Sequence, residues 1–94
     1  MDTSRAVHVR IDGRVQGVGY RAWLEVTAQA LALTGWVRNH RDGSVETVLQ
    51  GPPEEISDML CRCEVGPPAA CVSRVEVLGE EGDVYDGFEV RPSA

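Results

Sequence analysis

The chain has 94 residues and a mass of 10.2 kDa, which predicts residues 1–94 as a single domain with one modest core. At 43% hydrophobic and 26% charged residues it has the composition of an ordinary soluble globule, and no apolar run approaches the roughly 20 residues of a bilayer span. Its net charge is −6 and all nine basic residues are arginine, which excludes Schiff-base chemistry, a lysine general base and a Walker A loop, and argues against a nucleic-acid surface.

The segment Met1-Asp2-Thr3-Ser4-Arg5 has no apolar stretch of the kind an export signal needs, so a cytoplasmic location is expected. Ala6 to Asp12 alternates strictly, with Val7, Val9 and Ile11 on one side and His8, Arg10 and Asp12 on the other. This predicts a half-buried strand with His8 on its solvent face. Gly13 to Gly19 then packs three glycines into seven residues and ends in Tyr20-Arg21. Arg21 to Leu33 reads as an amphipathic helix with Glu25 and Gln29 on its polar face and Gly35 as its stop signal. Trp36 to His40 and Ser44 to Leu49 are short strands joined by Arg41-Asp42-Gly43, a hairpin signal. A second helix is predicted from Pro53, with Glu54 and Glu55 complementing its dipole. Its apolar stripe is Ile56, Met59, Leu60 and Cys63, and Gly66-Pro67-Pro68 ends it. Alternating strands around Val75 and Val77 and around Phe88 and Val90 follow, separated by a solvated acidic loop from Gly79 to Gly87.

The order β-α-β-β-α-β predicts an α+β fold, a ferredoxin-like α/β sandwich. Its antiparallel sheet would have four to five strands, with both helices on one face. In that topology the first two strands run parallel with the third between them. Their C-terminal ends then lie on one sheet edge, about 9–10 Å apart at two strand spacings. The glycine-rich loop and Asn39 can therefore face one site.

Charge distribution adds to this. Residues 13–43 hold four arginines against two carboxylates, a net of +2, while the remainder carries −8. A locally basic stretch in an acidic chain suggests a small anionic ligand. Glycines let successive N–H groups turn inward as an anion nest, the helix start adds unpaired donors, and Arg21 adds a planar fork. Gly17-Val18-Gly19-Tyr20-Arg21-Ala22 also fits a dinucleotide fingerprint, but a hairpin follows the second strand and no acid occupies its end. The three cysteines, Cys61, Cys63 and Cys71, lack zinc-site spacing and read as thiols without a role. No metal and no cofactor is expected.

The vicinity offers no Ser or Cys nucleophile and no carboxylate pair. His40 faces away from Asn39 by strand alternation, and Asp42 serves the turn. Such a site suits a substrate whose leaving group departs without being protonated; an acyl phosphate qualifies and an alkyl phosphate ester does not.

At these residues the sequence resembles the acylphosphatases. Gly13-Arg14-Val15-Gln16-Gly17-Val18-Gly19-Tyr20-Arg21 is similar to that family's first signature. Gly35-Trp36-Val37-Arg38-Asn39, continuing through Asp42 to Glu46 and Gly51, is similar to its second, and the likeness covers essentially residues 6–91. The resemblance implies metal-free hydrolysis of an acyl phosphate to carboxylate and phosphate. It makes Arg21 the phosphate-binding arginine and Asn39 the residue that orients water, with the backbone N–H groups of Gln16, Gly17, Val18, Gly19 and Tyr20 completing the cradle. The expected partner is a small acyl phosphate, not nucleic acid or membrane, and the protein is expected to be a monomer. The competing reading is a non-catalytic module that binds phosphate or carboxyl-phosphate groups. An RNA-binding sheet fits less well, since the third strand carries no aromatic residue.

Overall fold

The computed structural model describes residues 4–80 and 82–94. Met1 to Thr3, from the segment read for export, and Glu81, in the acidic loop, lie outside these. Strands β1 (Arg5–Arg14), β2 (Thr34–Asn39), β3 (Val45–Gly51), β4 (Cys71–Glu80) and β5 (Phe88–Val90) alternate with helices α1 (Tyr20–Ala30) and α2 (Pro53–Cys63) in the order β1-α1-β2-β3-α2-β4-β5. One sheet results, with spatial order β4-β1-β3-β2-β5. β3 lies between β1 and β2 and is antiparallel to both, and β4 is antiparallel to β1. β5 runs parallel to β2, so the fifth strand makes the sheet mixed.

Alternation along β1 decides which face is covered. Val7, Val9 and Ile11 are fully buried and share one core with Val37, Val45 and Leu49 of the neighbouring strands. Leu24 and Ala28 of α1 and Ile56, Met59 and Cys63 of α2 complete the same core, so both helices lie on that face. The predicted α2 stripe is the one that is buried, with Leu60 at its margin. Burial pushes the Cys63 thiol up to about 12, while Cys61 and Cys71 are exposed and none of the three thiols is bridged. The Tyr20 hydroxyl donates to the Cys63 carbonyl at 2.7 Å, tying the start of α1 to the end of α2. Burial raises the Tyr20 pKa, and the nearby Cys63 adds to the effect.

The other face is closed by polar groups. Trp36 lies between the guanidinium groups of Arg38 and Arg91, 5.0 and 4.7 Å from its ring centre, a cation–π arrangement. Glu46 binds Arg38 at 2.7 Å, His40 at 3.0 Å, and His8. Burial opposes its ionisation, but hydrogen bonds from Arg38 and His8 outweigh that and hold its pKa below the usual value.

The expected end of α1 differs from the observed one. The helix stops at Ala30, and Ala32 adopts φ 58°, the left-handed conformation usually left to glycine. Gly35, expected as the stop, is part of β2. A Cβ there would lie 1.9 Å from the Val48 carbonyl oxygen at a φ of 135°, so close strand approach is what this glycine permits. Gly35→Ala is therefore expected to destabilise the fold by about 3 kcal/mol or more, from strain and steric overlap together. A urea denaturation midpoint near the wild-type value would contradict this.

Candidate active site at the end of the first and second strands

A cleft of about 270 Å³ opens at the edge where β1 and β2 end, lined by Val15, Gln16, Gly17, Gly19, Tyr20, Arg21, Ala22, Glu25, Asn39 and Val90. The loop and Asn39 thus meet, as the strand order requires.

The loop's shape follows from two residues. Gly17 and Gly19 have φ of 73° and 80°, and a Cβ at either would meet nothing within 4 Å. Backbone conformation, not crowding, is what calls for glycine there. Gly19 is also the N-cap of α1 and offers no side-chain cap. Among the described residues, the amides from Gln16 to Ala22 donate to no carbonyl or side chain; the first cap bond is Trp23 N–H to Gly19 O. α1 carries no acidic residue in its first turn, whereas α2 carries Glu54 and Glu55. The positive end of α2 is met by its own side chains, and that of α1 is left for an anion.

Gly13 is no part of this nest. It lies within β1, where a Cβ would come 2.3 Å from the Cys71 carbonyl oxygen, at a register shift between β1 and β4. The other loop residues divide their work. Val18 packs its side chain against the core and is not among the residues that line the cleft, whereas Tyr20 lines it with its ring buried and so can offer only backbone there. The Gln16 side-chain amide donates to the carbonyls of His40 and Ser44 at 2.7 and 2.8 Å. Those carbonyls belong to the β2–β3 hairpin, so Gln16 fastens the loop at a fixed distance from Asn39. Sequence reading named the Gln16 backbone and missed this use of its side chain.

Arg21 stands in the first turn of α1 and lines the cleft. Among the described residues it has no carboxylate within ion-pair distance. The local excess of arginine does not gather here, however. Arg38 lies on the opposite sheet face with Glu46, and Arg14 and Arg41 are exposed outside the cleft. Only Arg21 of the four lines it.

Asn39 ends β2, paired with Val45 of β3. Its Oδ1 is buried and, among the described residues, has no hydrogen-bond partner. Its carbonyl accepts the amide of Ala94 at 2.9 Å, and the Val37 carbonyl accepts that of Arg91 at 2.8 Å. The chain beyond β5 thereby braces the strand that presents Asn39. His40 is occupied with Glu46 on the other face. Asp42 accepts from the Ser44 amide and hydroxyl at 2.9 and 2.6 Å and pairs with Arg10 at 2.9 Å.

Asp42 gives the hairpin a pH dependence. The Ser44 hydroxyl and amide, then Arg10, bring its pKa down to about 2 from an ordinary value near 4. A depressed carboxylate stabilises the fold above its unfolded pKa and loses that effect as pH falls toward the folded one. The stability advantage of the wild type over Asp42→Asn is thus expected to be constant above pH 5, to shrink below about 4 and to be lost as pH falls through about 2. Urea midpoints across that range would test it, and an advantage independent of pH would refute it.

The residues missed from the sequence are Val15, Ala22, Glu25 and Val90. Glu25 had a signal, being one helical turn from Arg21. Val90 had none, because only the parallel pairing of β5 with β2 brings it to the cleft.

Among the described residues no group of three His, Cys, Asp or Glu is placed to hold a metal ion, and no helix is long and apolar enough to cross a membrane. An anion cradle with one guanidinium, sharing a cleft with an asparagine whose amide oxygen lacks a donor among the described residues, suits a phosphoryl group and a water.

A family model for acylphosphatase matches residues 7–90. An acylphosphatase of Rhodopseudomonas palustris is 63% identical over 78 residues, 83% of this chain and 79% of its own length. One of Bradyrhizobium diazoefficiens is 56% identical over 89 residues, 94% and 87% of the two chains. A solved acylphosphatase from Coxiella burnetii superposes with a TM-score of 0.89 at 38% identity, covering 94% of this chain and 93% of that one. The match to the family model spans both segments that meet at the cleft, and the chain belongs to the acylphosphatase family.

Proposed function

We propose that this chain hydrolyses acyl phosphates without a metal ion, with Arg21 and the amides of Gln16 to Arg21 holding the phosphoryl group and Asn39 directing water at phosphorus. The single observation that carries this reading is that Arg21, the unpartnered loop amides and Asn39, whose Oδ1 has no partner among the described residues, line one cleft. A buried oxygen left without a donor costs about 1–3 kcal/mol, and a small shift of the side chain that admits a water from the cleft removes that cost.

In the step itself, the water oxygen bonds to phosphorus as the bond from phosphorus to the acyl oxygen breaks. The carboxylate leaves with the electron pair and needs no proton. A phosphoryl oxygen takes the proton from water, so no side-chain base is required. The cradle acts by position and by preset positive field, which strengthen on the charge of the transition state. A binding module would have the cradle but no use for an amide oxygen left without a donor in the same cleft. The three unbridged thiols agree with a reducing, cytoplasmic setting, where we place the enzyme as a monomer.

The test is hydrolysis of benzoyl phosphate with and without a chelator, with inorganic phosphate as inhibitor. Unchanged turnover in chelator and competitive inhibition by phosphate are expected. Phosphate binding without hydrolysis would favour the binding module. His40→Ala is expected to keep turnover within about threefold of wild type, since its ring engages Glu46 on the far sheet face. A larger loss would make His40 a participant.

A further inference from the structure

The phosphoryl machinery leaves one part of the cleft unused. Ala22 and Glu25 are three residues apart on α1, so they share a helix face. Val90 on β5 lines the same cleft and is exposed, at 43%. In-line displacement sends the leaving carboxylate away from the attacking water. Of the lining residues not assigned to the phosphoryl group or the water, Ala22, Glu25 and Val90 are the ones with accessible surface left to meet the acyl group.

Glu25 is half-buried and, among the described residues, pairs with no cation although Arg21 is one turn away. An unpaired carboxylate in a cleft built for a dianion does nothing for phosphate. It opposes it. Its effect on substrates is selective only if it acts mainly on the part of the molecule that varies.

We infer that Glu25 is a specificity-determining residue, which makes this enzyme favour acyl phosphates with neutral or cationic acyl groups over those whose acyl group carries a second anion. The inference rests on the proposed reading of the cleft as the acyl phosphate site. The small apolar surfaces of Ala22 and Val90 accept a short or flat hydrocarbon, and Glu25 sets the sign of charge tolerated at its edge. For like charges about 8 Å apart at an effective dielectric of about 30, the discrimination is near tenfold. Added salt should weaken it within a Debye length of about 10 Å.

Three para-substituted substrates test this: 4-carbamoylbenzoyl phosphate, the neutral isostere of the second, 4-carboxybenzoyl phosphate, and 4-trimethylammoniobenzoyl phosphate. The readout is the ratio of kcat/KM between the neutral and the anionic substrate, measured for wild type, Glu25→Gln, Glu25→Arg and Glu54→Gln. The last removes an exposed carboxylate at the start of α2, beyond the other end of β3. The ratio should be about ten in wild type and Glu54→Gln, near one in Glu25→Gln, and below one in Glu25→Arg. The cationic substrate should change in the opposite sense. If all three substrates gain or lose equally in Glu25→Gln, the residue acts through Arg21 and the inference fails. It fails equally if wild type and Glu25→Gln share one ratio, or if Glu54→Gln matches Glu25→Gln. Absence of hydrolysis of all three by wild type would overturn the reading of the site itself, a result distinct from each of these.

Discussion

Arg21→Ala is expected to lower kcat/KM for benzoyl phosphate by at least about 10³-fold while leaving the fold intact. Arg21 is the only guanidinium lining the cleft, and among the described residues nothing in the protein neutralises it. Its removal takes away a charged donor that must be in place before charge builds on the phosphoryl oxygens. The structural cost is small because, among the described residues, the side chain makes no hydrogen bond or ion pair, so stability should change by no more than about 0.5 kcal/mol. Arg21→Lys should recover little, because an ammonium cannot grip two oxygens in one plane. Near-normal turnover in Arg21→Ala would refute the assignment, and so would full rescue by lysine.

Asn39→Ala is expected to separate activity from stability. Turnover should fall about 10²–10³-fold, the usual loss when one positioned polar contact disappears. The inhibition constant of phosphate should stay within a few-fold of wild type, since the cradle amides and Arg21 are untouched. Stability should be unchanged or rise by about 1 kcal/mol, because a buried oxygen without a donor is removed. Natural sites often hold such a cost for the sake of function. Equal loss of phosphate binding and turnover would instead place Asn39 in the phosphate cradle, and a large drop in stability would make it structural.

Much of the fold was legible because its signals are local. Strict alternation in β1, the Asp42-Gly43 turn and the Ile56, Met59 and Cys63 stripe each state a period or a turn preference within ten residues. The end of α1 was misplaced because the stop is Ala32 in a left-handed conformation, which no propensity favours. The glycine that resembled a stop serves instead the contact of β2 with β3. The arginine cluster misled in the same way. Arg38 follows strand alternation to the opposite face, where Glu46 and Trp36 hold it.

By itself the chain of residues determined the element order, and with it the meeting of the loop after β1 with the end of β2, since the ferredoxin-like order sets the third strand between two parallel ones. It also determined that a glycine nest and one arginine begin α1. Tertiary structure alone decided that Gln16 fastens that nest to the hairpin, that Asn39 keeps an unpartnered oxygen, and that Val90 and Glu25 complete the cleft. Those facts depend on distances between segments far apart in sequence, and such distances are set by how the core packs, not by the preferences of any one segment.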